Sequence, residues 1–215
     1  MNLNESVFII AEIGINHNGD VELGKKLIDA CSFAGADCAK FQMRNLKELY
    51  RDSNNYQDED LSSQYVLDLL NKFNLENDQL FELFDYTKSR GLLPLCTPWD
   101  ISSFLALEDY GIWAYKSASA DLTNHELLKG IGLTGKPMFV STGMSTEQEI
   151  VETTYLLKRT KADFTLLHCN STYPAPFKDV NLNYMSNLEK ISGRPVGYSG
   201  HERGTSIAIA AVAKG

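Results

Sequence analysis

Two lysines of this chain stand where a lysine is least expected. Lys40 follows Cys38 and Ala39 and precedes Phe41, and Lys116 lies among Ala114, Tyr115 and Ala118, so each sits inside an apolar run. A buried ammonium is costly unless it is paired and hydrogen-bonded. Snorkelling, or an ion pair with a residue such as Glu12, would account for either lysine structurally. Both together, with hydroxyls at the ends of neighbouring apolar runs, suggest a doubly anionic ligand such as a small phosphorylated carboxylate. The other polar residues at run ends are Glu12, Asn16, Gln42, Thr97, Ser119, Ser141, Ser171, Tyr173, Ser199 and His201. In an extended strand the side-chain period of two puts Lys40 with Gln42, and Ser199 with His201, on common faces.

The elements that must position these residues follow from the hydrophobic pattern. Strands are expected at 7–13, 37–42, 92–97, 112–118, 137–142, 164–169 and 195–199, where short apolar runs rich in β-branched and aromatic residues occur. Amphipathic helices fall between them. Val21, Leu27, Ile28 and Cys31 form one stripe, closed by Gly35; Ile150, Val151, Thr154 and Leu157 form another, opened by a capping box from Ser145 to Gln148. Strand followed by helix, repeated, calls for a parallel sheet with helical crossovers. The long interval 43–91 holds the polar stretch "YRDSNNYQDEDLSS" and helical patterns near 63–72 and 76–90. It follows the second strand and would help to cover a strand end. Seven βα units are one short of a (β/α)8 TIM barrel, and only a ring gathers the polar ends of all the strands, so the α/β chain reads as such a barrel truncated after seven units. An open doubly wound sheet is the rival architecture.

Bulk properties narrow the function. The chain has 215 residues, 43% hydrophobic and 22% charged, which suits one globular domain spanning 1–215. Its net charge of −8 argues against nucleic-acid or anionic-membrane partners, which reward basic patches. The start, "MNLNESVFIIAEIG", lacks the basic region of a signal peptide, and no run approaches a membrane span, so a cytoplasmic protein is expected. Cys31, Cys38, Cys96 and Cys169 show no CxxC spacing and are expected to be buried free thiols.

The stretches "FIIAEIGINHNGD", "GADCAKFQ", "YKSASAD", "STGMS", "LLHCNSTYP" and "GYSGHE", in this order, resemble the sialic acid synthase family, the phosphoenolpyruvate-dependent synthases of N-acetylneuraminate and related nonulosonates. The resemblance implies a (β/α)8 barrel that condenses phosphoenolpyruvate with an N-acetylated amino-sugar aldehyde such as N-acetylmannosamine, releasing inorganic phosphate. It also implies a divalent metal, manganese first, with magnesium or cobalt as alternatives, and a homodimer for the full-length protein. By position, Lys40, Gln42, Thr97, Lys116, Ser119, Ser141 and Ser199 match residues that hold phosphoenolpyruvate, and Ser171 matches a substrate-binding position. Glu12 matches a catalytic glutamate, Asp121 and Tyr173 match sugar contacts, and His201 matches one of two metal-binding histidines. Asp121 departs from the Glu of some members, and Ser171 from Asn. The second histidine and a C-terminal antifreeze-like domain would lie beyond Gly215, so weak metal binding and low activity are expected of this chain alone. His17 reads as a turn residue, His125 as a helix start and His168 as a strand residue. Two other functions compete: a Schiff-base aldolase on the same barrel, which needs a strand lysine but neither a metal nor a second lysine, and a catalytically incomplete sugar- or phosphate-binding barrel.

Overall fold

The computed structural model describes residues 7–49 and 61–215. The polar stretch at 50–60, expected to help cover a strand end, lies outside these residues, as do the first six. The chain divides into two compact units, one up to Trp113 and the other from Ala114.

In the first unit the elements run β1 (Ile10–Gly14), α1 (Val21–Phe33), β2 (Cys38–Met43), α2 (Leu46–Leu49), α3 (Leu61–Phe73), α4 (Asn77–Ser89), β3 (Leu93–Pro98) and α5 (Ile101–Tyr110). The strands are parallel, in the order β1-β2-β3. Nearly every residue of β2 and β3 is buried, as expected of parallel strands covered on both faces, where hydrophobic runs replace alternation. The core gathers Ile28 of α1, Phe41 of β2, Leu83 and Phe84 of α4 and Leu95 of β3, all fully buried, with Phe41 and Phe84 ring centroids 5.5 Å apart. Of the expected α1 stripe, Ile28 is fully buried and its companions half-buried. Helix α1 starts where the Asp20 carboxylate accepts the N–H groups of Glu22 and Leu23. It approaches α4 so closely that a Cβ on Gly24 would lie 2.8 Å from a Leu83 methyl.

The second unit runs β4 (Tyr115–Ser117), α6 (His125–Leu133), β5 (Met138–Ser141), α7 (Glu147–Arg159), β6 (Phe164–Cys169), α8 (Tyr184–Ser192), β7 (Gly197–Ser199) and α9 (Ser206–Lys214). Its strands are also parallel, ordered β4-β5-β6-β7. Each expected strand is present, though β4 and β7 are cut to three residues. Two local expectations need correction. The capping box of α7 is Thr146 with Glu149, one residue later than Ser145 with Gln148. Glu149 offers a carboxylate, a stronger acceptor for the Thr146 N–H than the Gln148 amide. Ser145 instead donates to the Gly143 carbonyl, and Gln148 donates to Glu152. On the same helix the buried face is Ile150, Thr153, Thr154 and Leu157, whereas Val151 is exposed. Thr153 qualifies for burial because its hydroxyl donates to the Leu122 carbonyl at 2.8 Å.

No helix among the described residues is long and apolar enough to cross a membrane. None of the four cysteines is in a disulfide, and burial pushes the Cys38 and Cys96 thiols well above the usual range, which disfavours their thiolates.

Candidate active site

In the first unit the register of β1 on β2 makes Glu12 and Lys40 direct partners. Partners on adjacent parallel strands share a face, and the Lys40 ammonium bonds Glu12 Oε2 at 2.7 Å. The lysine side chain is 4% exposed and the glutamate 46%, so the pair runs from the sheet interior to solvent. A charge on one end of such a pair keeps its hydration, which offsets part of the cost of desolvating the other. Immediately after Glu12 the register shifts, with Glu12 opposite Lys40 but Gly14 opposite Phe41. Gly14 carries this bulge at a φ of +57°, a conformation that favours glycine.

Two residues along β2 from Lys40, Gln42 stands opposite Thr97 of β3. The Thr97 hydroxyl is buried and has no hydrogen-bond partner among the described residues, which suits a group that waits for a ligand. Arg44 extends the row by one more step. It donates to Gln42 Oε1, and its guanidinium lies over the Trp99 ring, 4.7 Å from the centroid. Arg44 was missed from sequence because it lies two residues beyond the strand expected at 37–42, although the same period of two that joins Lys40 to Gln42 reaches it.

In the second unit the Lys116 ammonium donates to the Ser141 hydroxyl at 2.9 Å, and both residues are buried. Their strands are adjacent, with Lys116 opposite Phe139, so the long lysine stem reaches two residues farther along β5. A second cluster forms around Gly143. Its N–H donates to Ser119 Oγ at 3.1 Å, while the buried Ser171 hydroxyl has no partner among the described residues. A Cβ on Gly143 would meet Ser171 Oγ at 2.4 Å and Ser119 Oγ at 2.9 Å, so only glycine lets these hydroxyls converge. Gly143 was also missed from sequence, where it stood only as a letter of "STGMS". Asp121 closes the short 3₁₀ turn Ser119–Asp121 and accepts from Asn124 at 3.2 Å.

Strand β7 ends at Ser199, so His201 is placed by other means than strand alternation. Its Nδ1 lies 2.6 Å from the Asn170 carbonyl, which can only accept; Nδ1 therefore carries the proton and Nε2 the lone pair. The Tyr173 hydroxyl donates to Nε2 at 2.5 Å, and the two rings stack with centroids 3.8 Å apart. The loop is held by the Tyr198 hydroxyl, which donates to Glu202 at 2.6 Å across Gly200. Burial is the main reason that the Tyr198 phenol is pushed well above the usual range. Ser199 pairs in register with Cys169.

A carbonyl fixing one ring nitrogen while the other keeps its lone pair is how protein-bound metals are commonly ligated. However, among the described residues no three His, Cys, Asp or Glu side chains come together to hold an ion. His201 fits as one ligand, and these residues do not make a complete metal site. The remaining histidines have structural surroundings. His125 opens α6 and bonds the Thr153 hydroxyl, and His168 donates Nε2–H to the Val180 carbonyl at 2.6 Å. His17 is buried in the turn after β1, where its Nδ1 accepts the Gly19 N–H at 3.1 Å.

The strand-end arrangement and the motif order now meet the comparisons with known proteins. The NeuB family model matches residues 27–215. The chain belongs to the NeuB family. It is 37% identical to the N,N'-diacetyllegionaminic acid synthase of Campylobacter jejuni over 98% of this chain and 65% of that protein. It is 34% identical to the human N-acetylneuraminate-9-phosphate synthase over 97% of this chain and 59% of that protein. Among solved structures, the N-acetylneuraminic acid synthetase of Leptospira borgpetersenii in complex with citrate superposes with a TM-score of 0.90 at 32% identity, covering 99% of this chain and 71% of that one. This NeuB-family chain is thus α/β, of the (β/α)8-barrel class, with seven βα units among the described residues. It spans about 60% of the length of the curated relatives it matches.

Proposed function

We propose that this chain carries the anion-binding residues of a synthase that condenses phosphoenolpyruvate with an open-chain N-acetylated amino-sugar aldehyde, giving a nonulosonic acid and inorganic phosphate. The main support, within the NeuB family, is Lys40: an ammonium buried in β2, matched in register to Glu12 and followed on the same face by Gln42. A structural salt bridge alone would not need Gln42 and, beside it, a buried Thr97 hydroxyl without a partner among the described residues.

In the reaction the methylene carbon of phosphoenolpyruvate attacks the aldehyde carbon, and the aldehyde oxygen takes up a proton. Positive charge left on the phosphate-bearing carbon is met by water, which loses a proton. The hydroxyl of the tetrahedral carbon then gives its proton to the departing phosphate as the bond to the phosphate oxygen breaks, leaving the 2-keto acid and inorganic phosphate. In the first unit Lys40 would offset the ligand's negative charge, Gln42 and Thr97 would donate to its oxygens, and Glu12 would take the proton of the attacking water. In the second unit Lys116, Ser119, Ser141, Ser171 and Ser199 supply donors for oxygens of the same chemical kind, and Asp121 and Tyr173 face the sugar. A divalent ion, manganese with magnesium or cobalt as alternatives, enters only with ligands besides His201, and no step above depends on it.

The test is phosphate release from phosphoenolpyruvate with N-acetylmannosamine, measured for this chain and for one extended to the length of its relatives. Sugar-dependent phosphate release by the longer chain, abolished by Lys40→Ala, is expected. Release that persists without sugar, or that survives the substitution, would overturn the assignment.

A further inference from the structure

We infer that Arg44 is a positioning residue that makes Gln42 an anion-binding group; the inference rests on the reading of Lys40, Gln42 and Thr97 as an anion site. A glutamine amide presents an acceptor oxygen on one side and a donor NH2 on the other, and rotating it by half a turn exchanges them. For an anionic ligand that exchange reverses the sign of the interaction: NH2 attracts a carboxylate or phosphate oxygen, and the carbonyl oxygen repels it. Nothing in Gln42 itself chooses. Arg44 does, because a guanidinium only donates, so the atom it meets is Oε1. The amide NH2 is thereby turned away from Arg44.

The direction it takes is also visible. A Cβ built on Gly14 would lie 3.5 Å from Gln42 Nε2, so the NH2 points toward the bulge that follows Glu12, where the chain presents no side chain of its own. Lys40 precedes Gln42 on the same face of β2, and Thr97 stands opposite it with a buried hydroxyl that has no partner among the described residues. Three donors thus share one face of β2 and β3, and Gln42 counts among them only in this orientation.

Arg44 is itself held. Its planar cation rests on the Trp99 ring at 4.7 Å, which leaves its edge to donate in-plane. The two strand ends that carry these residues are tied by Trp99 N–H donating to the Met43 carbonyl at 3.0 Å and by Asn45 N–H donating to Asp100 at 2.7 Å. Asp100 in turn caps α5 through the Ser103 N–H at 2.7 Å. A lysine at position 44 could approach the indole or Gln42, but its point charge lacks the planar fork that serves both at once.

The experiment is a double-mutant cycle of Arg44→Met and Gln42→Ala, read by calorimetric titration with phosphoenolpyruvate. Methionine keeps a long apolar stem against Trp99 while removing the donor. Arg44→Met should weaken binding about tenfold when Gln42 is present and by less than about twofold when position 42 is alanine, because Arg44 acts through the amide. Arg44→Lys, which keeps the charge, should fall between wild type and Arg44→Met. Equal losses in both backgrounds would show direct contact with the ligand and overturn the inference, as would no loss in either. A second readout needs no ligand: the Gln42 side-chain NH2 resonances should shift in Arg44→Met, and unmoved resonances would overturn the inference. Should wild type fail to bind phosphoenolpyruvate, the proposed function falls, and these resonances alone decide the role of Arg44.

Discussion

An ammonium inside a parallel sheet has to be compensated, and the two lysines of this chain are compensated differently. Lys40 meets a half-exposed carboxylate, while Lys116 meets a buried hydroxyl. Neither partner would stop a ligand anion from approaching, since Glu12 extends toward solvent and Ser141 can accept from Lys116 while donating elsewhere. Replacing either lysine by alanine removes a charge-assisted contact of about 1.5–3 kcal/mol, so phosphoenolpyruvate affinity should fall about tenfold or more in each variant, as calorimetry would show. Unchanged affinity in both would remove these lysines from the site. His17 makes a separate prediction. Burial lowers its pKa below the usual 6.5, and its Nδ1 must stay unprotonated to accept the Gly19 N–H. Between the folded and unfolded pKa values the unfolded chain binds more protons, so unfolding free energy rises with pH in that window. The stabilisation is complete above about 6.5 and is lost as pH falls through the lower, folded value. Melting temperatures of wild type should therefore drop below pH 6.5 more steeply than those of His17→Gln, and parallel profiles would refute the assignment.

At the scale of elements, the loops after the strands do as much positioning as the strands. The loop from β5 to α7 carries Gly143, whose bare Cα lets Ser119 and Ser171 close in, and it then starts α7 with the Thr146–Glu149 box. A carboxylate accepting a backbone N–H and a hydroxyl at a helix start is stabilised in its charged form, and the Thr146 N–H is the main reason that the Glu149 carboxyl lies below its usual range. Thr146→Ala should cost about 1 kcal/mol and lower the melting temperature by about 2–4 °C. Ser145→Ala, which removes the hydroxyl that donates to the Gly143 carbonyl, should stay within about 0.5 kcal/mol. Equal effects at the two positions would return the cap to Ser145.

For the whole molecule, the question is which chemistry these residues hold by themselves. The charge of −8 confines anion binding to a few placed donors, because the long-range field repels the ligand that the strand ends are proposed to attract. Raising salt screens that field, so stopped-flow measurements should find that phosphoenolpyruvate association does not slow with added salt, unlike that of a basic-patch binder. Metal affinity follows from ligand count. One imidazole plus water holds a divalent ion weakly, and the described residues offer no three-residue set. Manganese titration followed by electron paramagnetic resonance should find weak binding to this chain and tighter binding to one of its relatives' length. Equal, tight binding would mean that ligands were overlooked.

Much of this was legible in the sequence. Alternation of apolar runs and 3.6-residue stripes located every strand, and the period of two already aligned Lys40 with Gln42 and would have reached Arg44 had the count continued past the strand. The start of α7 was misplaced by one residue because two overlapping four-residue patterns both fit a capping box, and only the competition among acceptors separates them. What no local period contains is register. Glu12 meets Lys40 because β1 and β2 align at that step before a bulge shifts them. Ser119 and Ser171 converge on Gly143, and His201 turns to the Asn170 carbonyl, across separations of 24 to 31 residues. Residue type and spacing along one strand determined which side chains could do chemistry. Which atoms meet was decided by packing, since the offset between neighbouring strands is set by the side chains buried on both faces of the sheet rather than by either strand alone.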